Sequence, residues 1–411
     1  MNETTKVLRK LAGDYREIAF SDSNTYKMKL HRDVNDLRMT RPVVLIDELP
    51  WSEMNIGDEL TLVCEDPWLR RAEWYLKSTI YKHRHMPADM VVPPYFPVEK
   101  VITSSGIGIR TTEKTLATDN ANSIVSHEYE DILKTEEDLE KLHPPVISYD
   151  ETETLRRYNL IGEIFGDIIP VEMTGVNSMN SMTWDDISRY RGVTNLLTDL
   201  VDRSDFMHRI VTLLTEFKIS EFDQLEAMGL LDTRNYVLHC TAALTDSLPQ
   251  KNPATDRITR SDIWGRGAAQ IFASVSPWMH EEFDIDYMKK TVGTCGLVYY
   301  GCCEPLHNKI DIVEKIPNIR KIGVTPWADV EMAAEKIGKK YVLSSKPNPA
   351  KVAVPILDEG DLRMEIGKIL DACSKNGCSC DITLKDISSC KGRPENIFTW
   401  ERIVSEMAAG Y

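Results

Sequence analysis

Helical stretches alternate with short, fully apolar runs along most of this chain, and that rhythm constrains its fold more than any other feature. The first run is Pro42-Val43-Val44-Leu45-Ile46-Asp47-Glu48. A strand that is apolar at every position, and not at every second one, is buried on both faces, as parallel sheets require. The shape recurs at residues 88–93 after a helical stretch at 67–83, at 168–174 after 154–165, and at 236–240 after 205–228. The second half repeats it faster. Residues 262–290, read as mostly helical, lead into 297–303, and a helix from 310 leads into 321–325. Residues 329–337 precede 341–345, residues 361–373 precede 381–387, and a closing helix spans 396–407.

Eight strand candidates separated by helices predict an α/β fold, a (β/α)8 TIM barrel. A doubly wound open sheet needs a Gly-rich phosphate turn after the first strand, and Asp47-Glu48-Leu49-Pro50 is not one. The predicted organisation is a helical extension over residues 1–40, with a helix at 4–20, followed by one barrel over 41–411. The largest insertion, about 97–153 between the second and third strands, is predicted to be a cap over the barrel mouth, with a hairpin at 103–110. No repeat of short period interrupts this pattern.

Composition narrows the partners. The 411 residues are 42% hydrophobic, enough for a large core. A net charge of −15, from 64 acidic and 49 basic residues, argues against binding to nucleic acid or anionic membranes. No apolar run is long enough to span a bilayer, and the polar first residues lack a signal-peptide core. The expectation is a cytoplasmic protein, with a homodimer left open. Nine cysteines without an export signal read as reduced thiols or metal ligands, not as a disulfide framework.

A barrel places its chemistry at the C-terminal ends of its strands. Those ends offer Asp47, Glu48 and Trp51, then Tyr95, then Met173, then His239 and Cys240. The later ends offer Cys302, Cys303 and Glu304, then Thr325, then Lys346 and Asn348, then Lys385, Asp386 and Cys390. Only the thiols and imidazoles stand out as a chemical cluster. The run Leu297-Val298-Tyr299-Tyr300-Gly301-Cys302-Cys303-Glu304-Pro305-Leu306-His307 is a strand that empties into metal-ligand chemistry. Zinc takes thiolate and imidazole, with three protein ligands and an open position in catalytic sites. The metal-ligand candidates are therefore His239, Cys302, Cys303, His307 and Cys390. Glu304, Lys385 and Asp386 are the candidates for moving protons, by location. Asp47, Trp51, Tyr95, Tyr300, Lys346 and Asn348 are the candidates for holding substrate. The bland alternative is that the cysteines are small core residues. Strand alternation puts Tyr300 and Cys302 on one face, so Cys303 is expected to point away or to sit in the turn. Cys373, Cys378 and Cys380 flank a helix end with a stop at Gly377 and a turn; they suggest a second metal site, but buried or surface thiols are the preferred reading. No Walker loop or serine nucleophile elbow occurs.

The second half also carries a resemblance. Ser276-Pro277-Trp278-Met279-His280-Glu281-Glu282-Phe283, Tyr300-Gly301-Cys302-Cys303-Glu304, Ser345-Lys346-Pro347-Asn348-Pro349-Ala350, and Lys385-Asp386-Ile387-Ser388-Ser389-Cys390 with Pro394-Glu395-Asn396 are similar to segments of the uroporphyrinogen decarboxylase superfamily. They look most like its corrinoid-dependent zinc methyltransferases, clearest over about 270–405. The resemblance implies a TIM barrel that moves a methyl group between a small methylated molecule or thiol and the cobalt of a corrinoid carried by a partner protein. It implies zinc held by a His, a Cys two residues later and a distant Cys. Cys302 matches the first Cys and Cys390 approximately the second, while Tyr300 stands where the His would be. His239, Cys303, Glu304 and His307 are the available substitutes. The decarboxylase branch carries a basic element after its first strand, for an acidic porphyrinogen. Asp47-Glu48-Leu49-Pro50-Trp51 would repel such a polycarboxylate. A metal-free lyase and a ligand-binding barrel without turnover are the rival readings.

Overall fold

Strand β1 (Val43–Ile46) is buried at all four positions, as its unbroken apolar run requires. The computed structural model describes residues 3–116, 125–249 and 257–411. The strands that follow are β2 (Phe96–Glu99), β3 (Val101–Ser104), β4 (Glu113–Leu116), β5 (Ser126–Tyr129), β6 (Ile147–Asp150), β7 (Val171–Thr174) and β8 (Ser178–Ser181). Then come β9 (Val237–Leu238), β10 (Thr241–Ala242), β11 (Trp264–Gly267), β12 (Leu297–Tyr300), β13 (Ile319–Val324), β14 (Val342–Ser345) and β15 (Ser379–Leu384). Seven of these form one sheet in the order β1-β15-β14-β13-β12-β11-β8. Every pairing in it is parallel. The fold is therefore mixed α/β around a seven-stranded parallel sheet, and no closed sheet occurs among the described residues.

Alternation along β15 divides the two faces. Ile382 and Leu384 join Val44, Ile46, Ile322 and Leu343 in the main core, against the helices Val330–Ile337, Glu359–Asn376 and Glu395–Ala409. Asp381 faces the other way, into a polar cluster with no exposure. There Lys321 Nζ lies 2.7 Å from Asp381 Oδ2 and 2.9 Å from Thr241 Oγ1. Thr241 and Ser344 each donate to the Asp381 carboxylate at 2.6 Å. Lys346 Nζ reaches Ser344 Oγ at 2.8 Å and bonds the carbonyl of Cys240. These bonds fasten the β9–β10 hairpin to the sheet's inner face.

The free edge of β1 is capped without a partner strand. Val44 donates to Asp89 Oδ2 and accepts from the Asp89 amide, both at 2.9 Å, and Lys82 Nζ donates to the Ile46 carbonyl at 2.7 Å. Parallel β2–β7, antiparallel β3–β6 and antiparallel β4–β5 are separate two-stranded ladders. The residues before position 40 form two helices, Glu3–Ala19 and Asp22–Asn35. The first buries Leu8, Ala12 and Tyr15 against Leu76, Phe96 and Phe165.

Several expected elements differ. The run at 88–93 forms no strand, because Asp89 is spent on the edge of β1. The run at 236–240 gives only the two-residue β9, which turns back on β10. The expected hairpin at 103–110 is absent, since Ser104 pairs with Ile147. The hairpin of this insertion is β4–β5, and residues 117–124 between its strands lie outside the described residues. The sheet instead takes β8 and β11, from segments that were not expected to be strands. Trp264-Gly265-Arg266-Gly267 looks helical beside its neighbours because two glycines weaken a strand signal. They are needed for close packing. A Cβ on Gly265 would stand 2.8 Å from the Val292 carbonyl, and one on Gly267 would stand 3.1 Å from the Tyr300 ring.

The buried ion pair supplies a stability test. Asp381→Asn leaves Lys321 and Lys346 buried without their anion, a loss of about 3–5 kcal/mol. Urea denaturation should show that loss, with protease sensitivity rising first in the hairpin at 236–243.

Candidate active site

β12 delivers two thiols because its strand ends abruptly. Gly301 takes a φ of 109°, a left-handed value open to glycine, and a Cβ there would meet Leu306 at 2.8 Å. Past this turn strict alternation no longer holds. Cys303 does not point away from Cys302, and their sulfurs lie 3.7 Å apart. Glu304 pins the turn by accepting from the Cys302 amide at 3.0 Å and the Ala269 amide at 3.2 Å.

Three other elements bring donors to Cys302. Lys385, just past β15, places Nζ 3.4 Å from Cys302 Sγ and 3.3 Å from Cys303 Sγ. Arg266 in β11 places a guanidinium nitrogen 3.6 Å from Cys302 Sγ. His239, at the tip of the clamped hairpin, is close enough to help draw the Cys302 pKa down. Asp386 completes the rim, 2.6 Å from Lys385 Nζ and 3.4 Å from Cys303 Sγ. The Asp386 amide donates to Glu48 at 3.2 Å, and Glu48 lies 3.4 Å from His239 Nε2.

This setting separates the two thiols. The contact with Cys303, the nearby His239 and the charges of Lys385 and Arg266 outweigh burial and draw the Cys302 thiol below its usual range. Cys303, donating to Cys302 and partly buried, is pushed up. Burial pulls Lys385 down, but the Cys302 charge and the bond to Asp386 carry it above its ordinary value. The site thus favours the anionic form of Cys302, the neutral form of Cys303 and the protonated form of Lys385. Burial also raises two carboxyls on the far side, Glu304 to about 7 and Asp185 to about 6, with the Cys302 charge contributing to each.

Among the described residues, the donor groups that could share one metal ion are Glu48, His239 and Cys240, whose ligand atoms all lie within 4.8 Å of one another. Glu48 and Cys240, with Asp386, have φ between 49° and 57°, in the left-handed region that non-glycine residues avoid. Such strain persists only where the surroundings over-determine it. Two thiolates on one tetrahedral zinc stand about 3.8 Å apart, given a Zn–S bond of about 2.3 Å. The Cys302–Cys303 separation matches, but the position that bridges both sulfurs is taken by the Lys385 ammonium.

Of the expected metal ligands, His239, Cys302 and Cys303 come together. Cys390 does not join them. It is buried and bonds Glu53 at 3.2 Å. His307 is not in the cluster either, and its Nδ1 is buried without a partner. Lys385, Asp386 and Glu304 all lie at the site. Among the expected substrate contacts, Asp47 and Tyr95 line a cavity of about 740 Å³ with Tyr75, Tyr236, Lys82 and Asn180. Tyr236, Val237 and Thr241 of its wall belong to the hairpin segment that carries His239. Tyr300 is fully buried, its hydroxyl 2.6 Å from both Asp284 and His280. Lys346 is buried in the clamp, Asn348 caps the short helix Pro349–Lys351, and Trp51 packs edge-on against Trp74. Arg266 and Asp185 were missed, because both lie in segments that were not expected to end strands. Glu48 and Cys240 were visible as strand ends but were not expected to act together.

No protein-family model matches the chain, and no curated protein matches it.

Glu304 gives a pH test. Its folded value of about 7 lies above the ordinary 4.5, so its contribution to stability is complete below pH 4.5 and is lost as pH rises through 7. That loss amounts to about 3 kcal/mol at most. Glu304→Gln, which cannot ionise, should show a flatter stability profile across this window in urea titrations, with the difference largest above pH 7.

Proposed function

We propose that this chain is a barrel methyltransferase of the uroporphyrinogen decarboxylase superfamily. It moves a methyl group between a small methylated molecule or thiol and the cobalt of a corrinoid held by a partner protein. The observation that carries this reading is the convergence of Arg266, Cys302, Cys303 and Lys385 at the C-terminal ends of the parallel strands β11, β12 and β15, where a barrel does its chemistry, with His239 brought in by the antiparallel hairpin. Support for an eight-stranded ring comes from the strands beside the sheet. β7 runs into β8 after three residues, β2 pairs with β7, and Asp89 just before β2 bonds β1. Together they trace a path from β8 back to β1. A cytoplasmic location without nucleic-acid partners belongs to the same reading. It is supported by the net charge of −15 and by the absence, among the described residues, of a helix long and apolar enough to cross a membrane.

Zinc fits the residues by donor type. Glu48, His239 and Cys240 supply carboxylate, imidazole and thiol at spacings one ion can bridge, and they would hold it. When bound, zinc supplies Lewis acidity toward a thiol or a leaving atom. The chain's own groups do the rest. Cys302 carries a negative sulfur beside the reacting molecule, and Lys385 and Arg266 compensate its charge. Asp386 orients Lys385. Glu304, titrating near neutrality, gives or takes a proton. The cavity beside the hairpin has room for a small substrate; Asp47, Tyr95 and Tyr236 line it, and Cys302 does not. One observation favours a metal-free lyase instead: Lys385 and Arg266 already place two cations where a substrate carboxylate could dock.

Metal analysis with activity distinguishes the two. Glu48→Gln/His239→Ala should lose zinc. Cys302→Ser should keep zinc and the fold but lose methyl transfer from a methylated corrinoid protein by at least about 100-fold, as expected for a group that acts in the transition state. Unsubstituted protein that holds no zinc when supplied with it would favour the lyase.

A further inference from the structure

We propose that Cys302 and Cys303 form a reversible vicinal disulfide when the protein meets hydrogen peroxide. The inference goes beyond methyl transfer and stands or falls separately from it. Four features of the site carry it. The two sulfurs are 3.7 Å apart, already in contact. Cys302 Sγ accepts from Lys385 and Arg266, at 3.4 and 3.6 Å, so donors are in place for an oxygen leaving that sulfur. Cys303 Sγ lies 3.4 Å from Asp386 Oδ2, which can take its proton. Cys303 is also partly exposed, whereas the other eight cysteines are buried.

The chemistry closes on these groups. The Cys302 sulfur attacks one peroxide oxygen and the O–O bond breaks. The departing hydroxide takes a proton from solvent and leaves as water. Cys302 is then a sulfenic acid, its oxygen within reach of Lys385 and Arg266. Cys303 gives its proton to Asp386, and its sulfur attacks the Cys302 sulfur. The S–O bond breaks, and the second hydroxide recovers that proton and leaves as water. Two thiols and one peroxide become one disulfide and two waters, with two electrons passing from sulfur to oxygen.

Sequence adjacency makes the product easy to reverse. Neighbouring Cα atoms across a trans peptide are about 3.8 Å apart, whereas disulfides usually span about 4.4–6.8 Å. The bond therefore forms under strain, and strained disulfides are the readily reduced ones. Closing it also removes the negative sulfur that Lys385 and Arg266 face, so oxidation should silence the site until a thiol restores it.

The test treats the purified full-length protein with one equivalent of hydrogen peroxide and follows peptide masses. The expected product is the peptide holding both cysteines, lighter by about 2 Da and restored by dithiothreitol. Cys303→Ser should stop at the sulfenic acid on Cys302, trapped by dimedone. Cys302→Ser should react at least about tenfold more slowly. Wild-type protein that gains oxygen on Cys302 with no linked product overturns the disulfide, and this readout needs no variant to fold. A Cys302→Ser protein that oxidises as fast as wild type overturns the assignment of Cys302 as the attacking sulfur.

Discussion

The buried contact between Lys321 and Asp381 is the constraint on which the rest of this structure depends. Neither side chain has any exposure, and the pair crosses from β13 to β15 on the sheet's inner face. A buried ion pair gains little net stability over apolar packing, but it fixes geometry because each charge demands its partners. Here the demand reaches Thr241, Ser344 and the carbonyl of Ala242. A hairpin of two-residue strands would not hold itself in place. Anchored this way, it puts His239 against Cys302 and Glu48.

Charge arrangement is the second theme. The inner face carries Arg266, Lys321, Lys346 and Lys385, with Asp381 buried among them and Glu304, also fully buried, in the turn after β12. Lys321 and Lys346 are absorbed by Asp381 and by hydroxyl and carbonyl groups. Arg266 and Lys385 are left facing Cys302, and their charges favour the anionic form of a sulfur with 4% exposure. On its outer side Lys385 pairs with Asp386, whose amide donates to Glu48 at the rim. Burial that would neutralise an isolated thiolate is offset by donors fixed on three different elements.

The same arrangement reconciles the two kinds of chemistry at this mouth. The three groups that one ion could bridge share His239 with the thiol site, yet the dithiol edge itself is bridged by an ammonium.

Much of this was written in the sequence. Unbroken apolar runs gave β1, β12, β13, β14 and β15, because a strand buried on both faces needs no partner to announce itself. The thiols past β12, and His239, Lys385 and Asp386, were legible as polar groups following such runs. β8 and β11 were hidden, since Ser178-Met179-Asn180-Ser181 and Trp264-Gly265-Arg266-Gly267 are strands by virtue of their neighbours. Their residues are polar or small where packing and the inner face require it, and local propensity points elsewhere. Arg266 was hidden with them. Cys390 looked like a distant ligand, but Glu53 holds it away from the cluster, a partnership no spacing reveals. Local chemistry along the chain determined which groups are reactive. Only the tertiary structure decided which of them meet, because the contacts that gather them join residues far apart in the chain, 36 positions for Arg266 and Cys302 and 338 for Asp386 and Glu48.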